Sequence, residues 1–388
     1  MTQILTTPSA PAAQEEDRER AIAFYLPQFH PIPENDAWWG KGFTEWTNVA
    51  RAKPLFRGHV QPRVPADLGF YDLRVPETRA AQAEMARTCG VEGFCYWHYW
   101  FAGRRLLQRP FEEVLGSGEP DFPFCLGWAN HSWTGVWYGA PNRVLIEQTY
   151  PGMDDHERHF RCLASAFADP RYIRVDGKPL LMVFRPKELP DSQRVFDLWR
   201  KLSDREGLGG LHVVAHLDDD EDGWGPLAAG YDAATVAKMK TIFSTRQLPL
   251  RQLALRHISR YRITRPFFQR RKRPLHVVPY RVVAPRLVVE RELPYEYYPC
   301  VVPNWDNTPR SGSQGSVLTG STPALYQRHL QAAVDRVASL TPSRRIVFIK
   351  SWNEWAEGNY LEPDQVHGHA YLEATGRVLK SKRLLVAS

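Results

Sequence analysis

An α/β fold, a (β/α)8 TIM-like barrel, is what this sequence predicts, on three observations. Short apolar runs alternate with helical stretches around the whole chain. Polar and aromatic residues gather after those runs rather than before them, as at the C-terminal mouth of a parallel barrel. The 388 residues, 43% of them apolar, suffice for one large core.

Met1–Arg20 is rich in Pro, Ala, Gln, Glu and Asp and reads as a disordered tail. It lacks the positive region and apolar core of a signal peptide, so cytoplasmic residence is the expectation. Residues 21–388 are then a single barrel domain. Ala21–Leu26 is the first strand, stopped by Pro27, with Tyr25, Gln28 and His30 at its end. A long loop without evident secondary structure follows, carrying Trp38, Trp39, Glu45 and Trp46; such loops tend to be functional.

Helix is expected over Val75–Thr88 with Gly90 as its stop, and the second strand over Val91–Tyr96, leaving through Trp97 and His98. A short helix over Leu106–Gly116 leads to strand three, Phe122–Trp128, which opens into Asn130 and His131. Helices Asp154–Ala168 and Ser192–Arg205 flank strand four, Pro179–Phe184. Strand five is Leu211–Leu217 and strand six Tyr231–Ala237. An insertion carrying helices separates strand six from strand seven, Tyr297–Pro303, which ends in Trp305, Asp306 and Asn307. Thr308–Ser321, rich in Gly and Ser, reads as a mobile lid. Helix Pro323–Leu340, strand eight Ile346–Lys350 and helix Gln365–Lys380 complete the barrel.

The charge is uneven. Lys240–Arg291 holds fourteen Arg or Lys against Glu290 alone, while the rest of the chain is net acidic. Such a window suits an acidic glycan or the anionic face of the inner membrane, giving a possible peripheral contact. No nucleic-acid-reading motif accompanies it, so nucleic acid is not an expected partner. No run of about 18 uncharged apolar residues suggests a membrane span. The five cysteines match no metal spacing and read as buried thiols. Asp218–Asp222 lacks the Gly turn and distant Glu of a calcium loop, so a solvated acidic loop is expected, with one member free to face the cleft. No phosphate loop or dinucleotide fingerprint occurs. No metal and no cofactor are expected.

The chemistry points to the exit of strand eight. Glu354 and Glu357 are three residues apart, which puts two carboxylates on one side of a helical turn. Cleavage or transfer at a glycosidic bond needs one group to protonate the leaving oxygen and another to assist or act as nucleophile. The residues assign the pair but not the roles. Around them, Asn353 and Trp355 are candidate substrate contacts: Asn353 orders the site by hydrogen bonding, Trp352 or Trp355 packs against it, and these tryptophans suit a sugar-stacking wall. Tyr25, Gln28, His30, Glu45, Trp46, Trp97, His98, Trp128, Asn130, His131, Trp305, Asp306 and Asn307 are the candidate substrate contacts.

The string Trp352-Asn353-Glu354-Trp355-Ala356-Glu357-Gly358, followed by Leu361-Glu362-Pro363, resembles the closing signature of endo-α-mannosidase-like (family 99-like) glycoside hydrolases. From Ala21 to Tyr371 the chain resembles still more the WbsX-like proteins of bacterial surface-polysaccharide gene clusters. Ala23–His30, Gly42–Trp46 and Gly127–Asn130 carry that resemblance. It implies Glu357 as general acid and Glu354 as the base that deprotonates the substrate's own 2-hydroxyl, through a 1,2-anhydro sugar with retention of configuration. It implies an oligosaccharide or lipid-linked glycan as partner. The expected function is an enzyme that cleaves or rearranges glycosidic bonds in surface-polysaccharide metabolism. A glycosyltransferase of lipopolysaccharide, O-antigen or capsule assembly and an inactive glycan-binding subunit are the alternatives.

Overall fold

The computed structural model describes residues 19–135, 140–219, 223–239 and 276–380. Eight parallel strands close into a barrel. They are β1 (Arg20–Tyr25), β2 (Gly93–Phe101), β3 (Phe124–Trp128), β4 (Lys178–Val183), β5 (His212–Leu217), β6 (Ala233–Val236), β7 (Glu296–Val301) and β8 (Ile346–Ile349). Each pairs with its sequence neighbour, and β1 pairs with both β2 and β8, which removes every edge. The register Ala23↔Phe94 on one side and Ala23↔Ile349 on the other marks the closure.

Outside the strands lie α1 (Pro76–Thr88), α2 (Arg109–Ser117), α3 (Met153–Ala168), α4 (Ser192–Arg205), α5 (Pro323–Val337) and α6 (Ala370–Leu379). Pro at the first turn starts α1, α2 and α5, where its missing N–H breaks no helical bond. In the barrel centre Phe24 stacks on Trp97 at 4.8 Å and on Phe348 at 5.3 Å. Gly127 is required there, because a Cβ would lie 2.8 Å from the Trp97 ring.

Several expectations are corrected. The loop after β1 contains two short helices, Pro33–Trp39 and Glu45–Arg51, the second closed by a Thr44/Thr47 capping box. β2 runs on to Phe101 because Tyr99–Phe101 pairs with Arg104–Leu106, so Trp97 and His98 belong to the strand and not to an exit loop. The segment read as a mobile lid is tied down. Thr308–Ser311 is helical, and Ser316–Thr319 pairs with His276–Pro279. Met1–Arg20, except its last two residues, lies outside the described residues. Residues 240–275 of the basic window and 220–222 of the acidic run do so too. No helix among the described residues is long and apolar enough to cross a membrane.

Candidate active site

At the C-terminal mouth of the barrel β8 turns through Lys350 and Ser351 into a tight hairpin. Asn353–Glu354 pairs with Asn359–Tyr360, and Trp355–Glu357 forms the turn between them. Gly358 adopts φ 63°, and a Cβ there would meet the Asp306 backbone at 2.8 Å, so glycine permits both the turn and the close approach. The spacing predicts a helical turn and the structure has a hairpin instead, in which Glu354 and Glu357 still face one cleft of about 370 Å³.

The hairpin is held from behind. Asn353 grips the end of β1, accepting from the Leu26 N–H at 2.7 Å and donating to the Leu26 carbonyl at 3.1 Å. Trp352 and Trp355 are fully buried supports rather than sugar platforms. The Trp355 indole stacks on Tyr360 and donates to Glu362 at 2.6 Å. Glu362 also accepts from Tyr71 at 2.9 Å and Gln82 at 2.6 Å. Burial pushes its carboxyl up to about 7, against those bonds.

Arg310, on the helical turn after β7, is the electrostatic centre. Its Nη1 lies 2.5 Å from Glu357 and 3.7 Å from Glu354, while Nε donates to Glu45 at 2.8 Å. The guanidinium thus lies among three carboxylates. Among the described residues no metal-ligand cluster forms. Lys350 adds a second buried cation, with its ammonium 5.7 Å from the Trp305 ring centre. Burial opposes its charge, and the fields of Glu354 and Glu357 outweigh burial. Burial, followed by the charge of Glu357, raises Glu354 to about 7. Burial works on Glu357 in the same sense, but Arg310 and Lys350 overcome it and hold that carboxyl below its usual range. Of the two, Glu354 is therefore the carboxyl that holds a proton more readily.

Of the predicted contacts, Gln28, Trp97, His131 and Trp305 line this cleft with the two glutamates. Gln28 Nε2, His131 Nδ1 and Trp305 Nε1 are buried without a partner among the described residues. Burial holds His131 at about 4 and therefore neutral.

The remaining predicted contacts stand behind the wall. Tyr25 donates to Gln82, and Trp46 donates to the Tyr71 carbonyl within an aromatic cluster. His30 bonds the Pro27 carbonyl, and His98 pairs with His159 at 2.9 Å. Trp128 packs on His159 and Trp199. Asn130 clamps the Arg185 backbone in both directions. Glu45 is wholly buried behind Arg310. Asp306 is saturated by His59, Gln61 and Thr308, and Asn307 caps the Ser316 N–H. Strand parity decides this division: neighbouring side chains point to opposite faces, and Phe24 and Trp97 take the inside where Tyr25 and His98 take the outside.

The cleft also contains groups the sequence did not suggest. His216 on β5 presents two ring nitrogens without a partner among the described residues, and Arg185 pairs with Asp218 at 2.6 Å across the mouth. Trp39, Tyr99, Trp133 and Phe184 supply aromatic walls. The acidic run thus does send one member, Asp218, into the cleft.

The sequence profile of the Glycosyltransferase WbsX family matches residues 21–375. The chain belongs to that family. The uncharacterized protein WxcX of Xanthomonas campestris is 42% identical over 362 residues. That match covers 92% of this chain and 49% of the relative, so the chain spans about half the length of the curated relatives it matches. Among solved structures, the GH99 endo-alpha-mannosidase of Bacteroides thetaiotaomicron superposes with a TM-score of 0.56 at 14% identity, covering 95% of this chain and 99% of that one. A glycoside hydrolase-like protein gives 0.56 at 15%, covering 97% of each. These two likenesses are of fold, and they agree with the family member's closed barrel.

Proposed function

We propose that this WbsX family member is a carbohydrate-active enzyme that cleaves or rearranges glycosidic bonds in bacterial surface-polysaccharide metabolism. The observation that carries the reading is the Glu354–Glu357 pair, Glu354 buried and Glu357 half-buried, both facing an aromatic cleft. Gln28, His131, His216 and Trp305 offer buried polar atoms that a polyhydroxylated ligand would satisfy. Each such group left desolvated and unpaired costs about 1–3 kcal/mol, which sugar hydroxyls would return on binding. Asp306 and Asn307, placed behind the wall, position rather than touch such a ligand.

In this reading Glu357 protonates the leaving oxygen and Glu354 takes the proton of the sugar's own 2-hydroxyl. Before the leaving oxygen is protonated, the proton that Glu354 holds passes to Glu357. Atoms balance: the glycosidic C–O bond breaks, the 2-oxygen closes on the anomeric carbon, and water later reopens that ring.

Family membership favours a second reading, transfer onto a growing chain in lipopolysaccharide, O-antigen or capsule assembly. The test is mass-spectrometric product analysis of a panel of bacterial surface oligosaccharides, run with and without nucleotide- or lipid-linked sugar donors. Shorter products without donor are expected. Growth only with donor, abolished by Glu357→Gln, would replace cleavage by transfer. Binding without product in either arm would leave a glycan-binding subunit. The basic window is proposed to meet acidic glycan or an anionic bilayer; co-sedimentation with anionic but not neutral vesicles, fading with salt, checks it.

A further inference from the structure

Arg310 lies outside the signature and on a segment the sequence presents as a lid, yet it pairs with both glutamates of the signature. Its fork reaches three carboxylates from two parts of the chain. Glu45 comes from the loop after β1 and is completely buried; Glu354 and Glu357 come from the β8 hairpin. The turn that bears Arg310 is itself fixed: Thr308 donates its backbone N–H and hydroxyl to Asp306, whose own N–H bonds the Glu357 carbonyl at 2.6 Å. Glu45, in turn, is pinned by its N–H to the Gln28 carbonyl. A buried guanidinium held so firmly is an electrostatic fixture rather than a flexible surface charge.

The fork is not centred. Nη1 is 2.5 Å from Glu357 and 3.7 Å from Glu354. We propose that Arg310 is the positioning residue that decides which of the two carboxyls carries their shared proton, keeping Glu357 ionised at rest. This deepens the acid–base reading above and rests on it for its catalytic meaning, but its geometry stands alone.

The other charges around the pair do not duplicate the effect. Lys350 approaches from the end of β8, and its field on Glu354 exceeds that of Arg310, whereas on Glu357 the order is reversed. Tyr99 from β2 is buried and neutral. His131 after β3 and His216 on β5 are held at about 4 and about 3 by burial, and stay uncharged at neutral pH. Arg185 is matched by Asp218. Both cations act on both carboxyls, Arg310 more strongly on Glu357 and Lys350 more strongly on Glu354.

The experiment is a 13C NMR titration of protein labelled at the glutamate side-chain carboxyls, with the two signals assigned by their loss in Glu354→Gln and Glu357→Gln. Arg310→Met is expected to raise the Glu357 midpoint by about 1–3 pH units and that of Glu354 by less. Lys350→Met is expected to act in the opposite order. An unmoved Glu357 midpoint in Arg310→Met, or a larger shift of Glu357 in Lys350→Met, would overturn the proposal. If Arg310→Met does not fold, Arg310→Lys keeps the charge and loses the fork. A smaller upward shift of Glu357 is then expected, and no shift would overturn the proposal. The titration needs no substrate, so a protein that titrates as described but turns over no glycan would sink the functional reading and leave Arg310's role standing.

Discussion

The rim formed by β7 and β8 and the rim formed by β2 and β3 are written in the same residues and do opposite things. Both exits carry tryptophan, asparagine and ionisable side chains. At β7 and β8 four ionisable groups, Arg310, Lys350, Glu354 and Glu357, face the cleft, with one carboxyl raised to about 7. At β2 and β3, His98, His159, Trp128 and Trp199 lock the strands to α3 and α4, and burial drives His98 down to about 3. One rim keeps protons poised near neutrality. The other keeps its imidazoles neutral and dry. The difference is which face of the strand each residue occupies.

Exchange of like for like across that divide should break the comparison most visibly. Trp128→Ala is expected to cost about 3–5 kcal/mol of unfolding free energy, as for a large aromatic removed from a packed layer, while leaving the cleft's affinity for glycan near that of the parent protein. Trp305→Ala, at the half-exposed cleft edge, should do the reverse: nearly unchanged stability and glycan binding weakened about tenfold, the equivalent of ~1.4 kcal/mol. Denaturant melts and calorimetric titration of both variants decide it, and loss of binding alone in Trp128→Ala would place that side chain in the cleft after all.

The pH dependence of stability sharpens the same contrast. Glu354 and Glu362 are both raised to about 7 from a usual 4.5, so each favours the folded state while protonated. That contribution is complete below about 4.5 and is lost as pH climbs through about 7, up to about 3 kcal/mol per group. Glu357 is shifted the other way, and its contribution is lost as pH falls below the usual carboxylate range. Unfolding free energy should therefore decline between pH 5 and 8. Glu354→Gln should flatten the decline. A smaller effect is expected of Glu362→Gln: little change near pH 5, where the carboxyl is protonated like its amide replacement, and a modest gain at pH 8. A flat parent profile would contradict both shifts.

Much of this was legible in the sequence. The eight strand runs, the mouth they share and the pair at Glu354 and Glu357 follow from patterning and spacing. Parity was not. Tyr25, His98 and Trp128 sit at strand ends as Trp97 and His216 do, and a one-residue change of phase reverses the face each takes. Trp352 and Trp355 read as platforms because indoles serve both sugars and cores, and only the Glu362 acceptor behind Trp355 separates the uses. Arg310 gave no signal at all: it stands among Gly and Ser residues, and its partners are far away in sequence, Glu45 by 265 positions and Glu357 by 47.

The central claim is that Glu354 and Glu357 act as a base and an acid on one glycosidic bond, and the most direct measurement is chemical rescue. Turnover of the natural linkage should fall by about 10²–10⁴ in Glu357→Gln, with folding and glycan affinity retained. The corresponding glycosyl fluoride, whose leaving group needs no proton, should restore part of the rate in Glu357→Gln and none in Glu354→Gln. Rescue of Glu354→Gln alone would exchange the two roles. Undiminished turnover of the natural linkage in both variants would contradict the account.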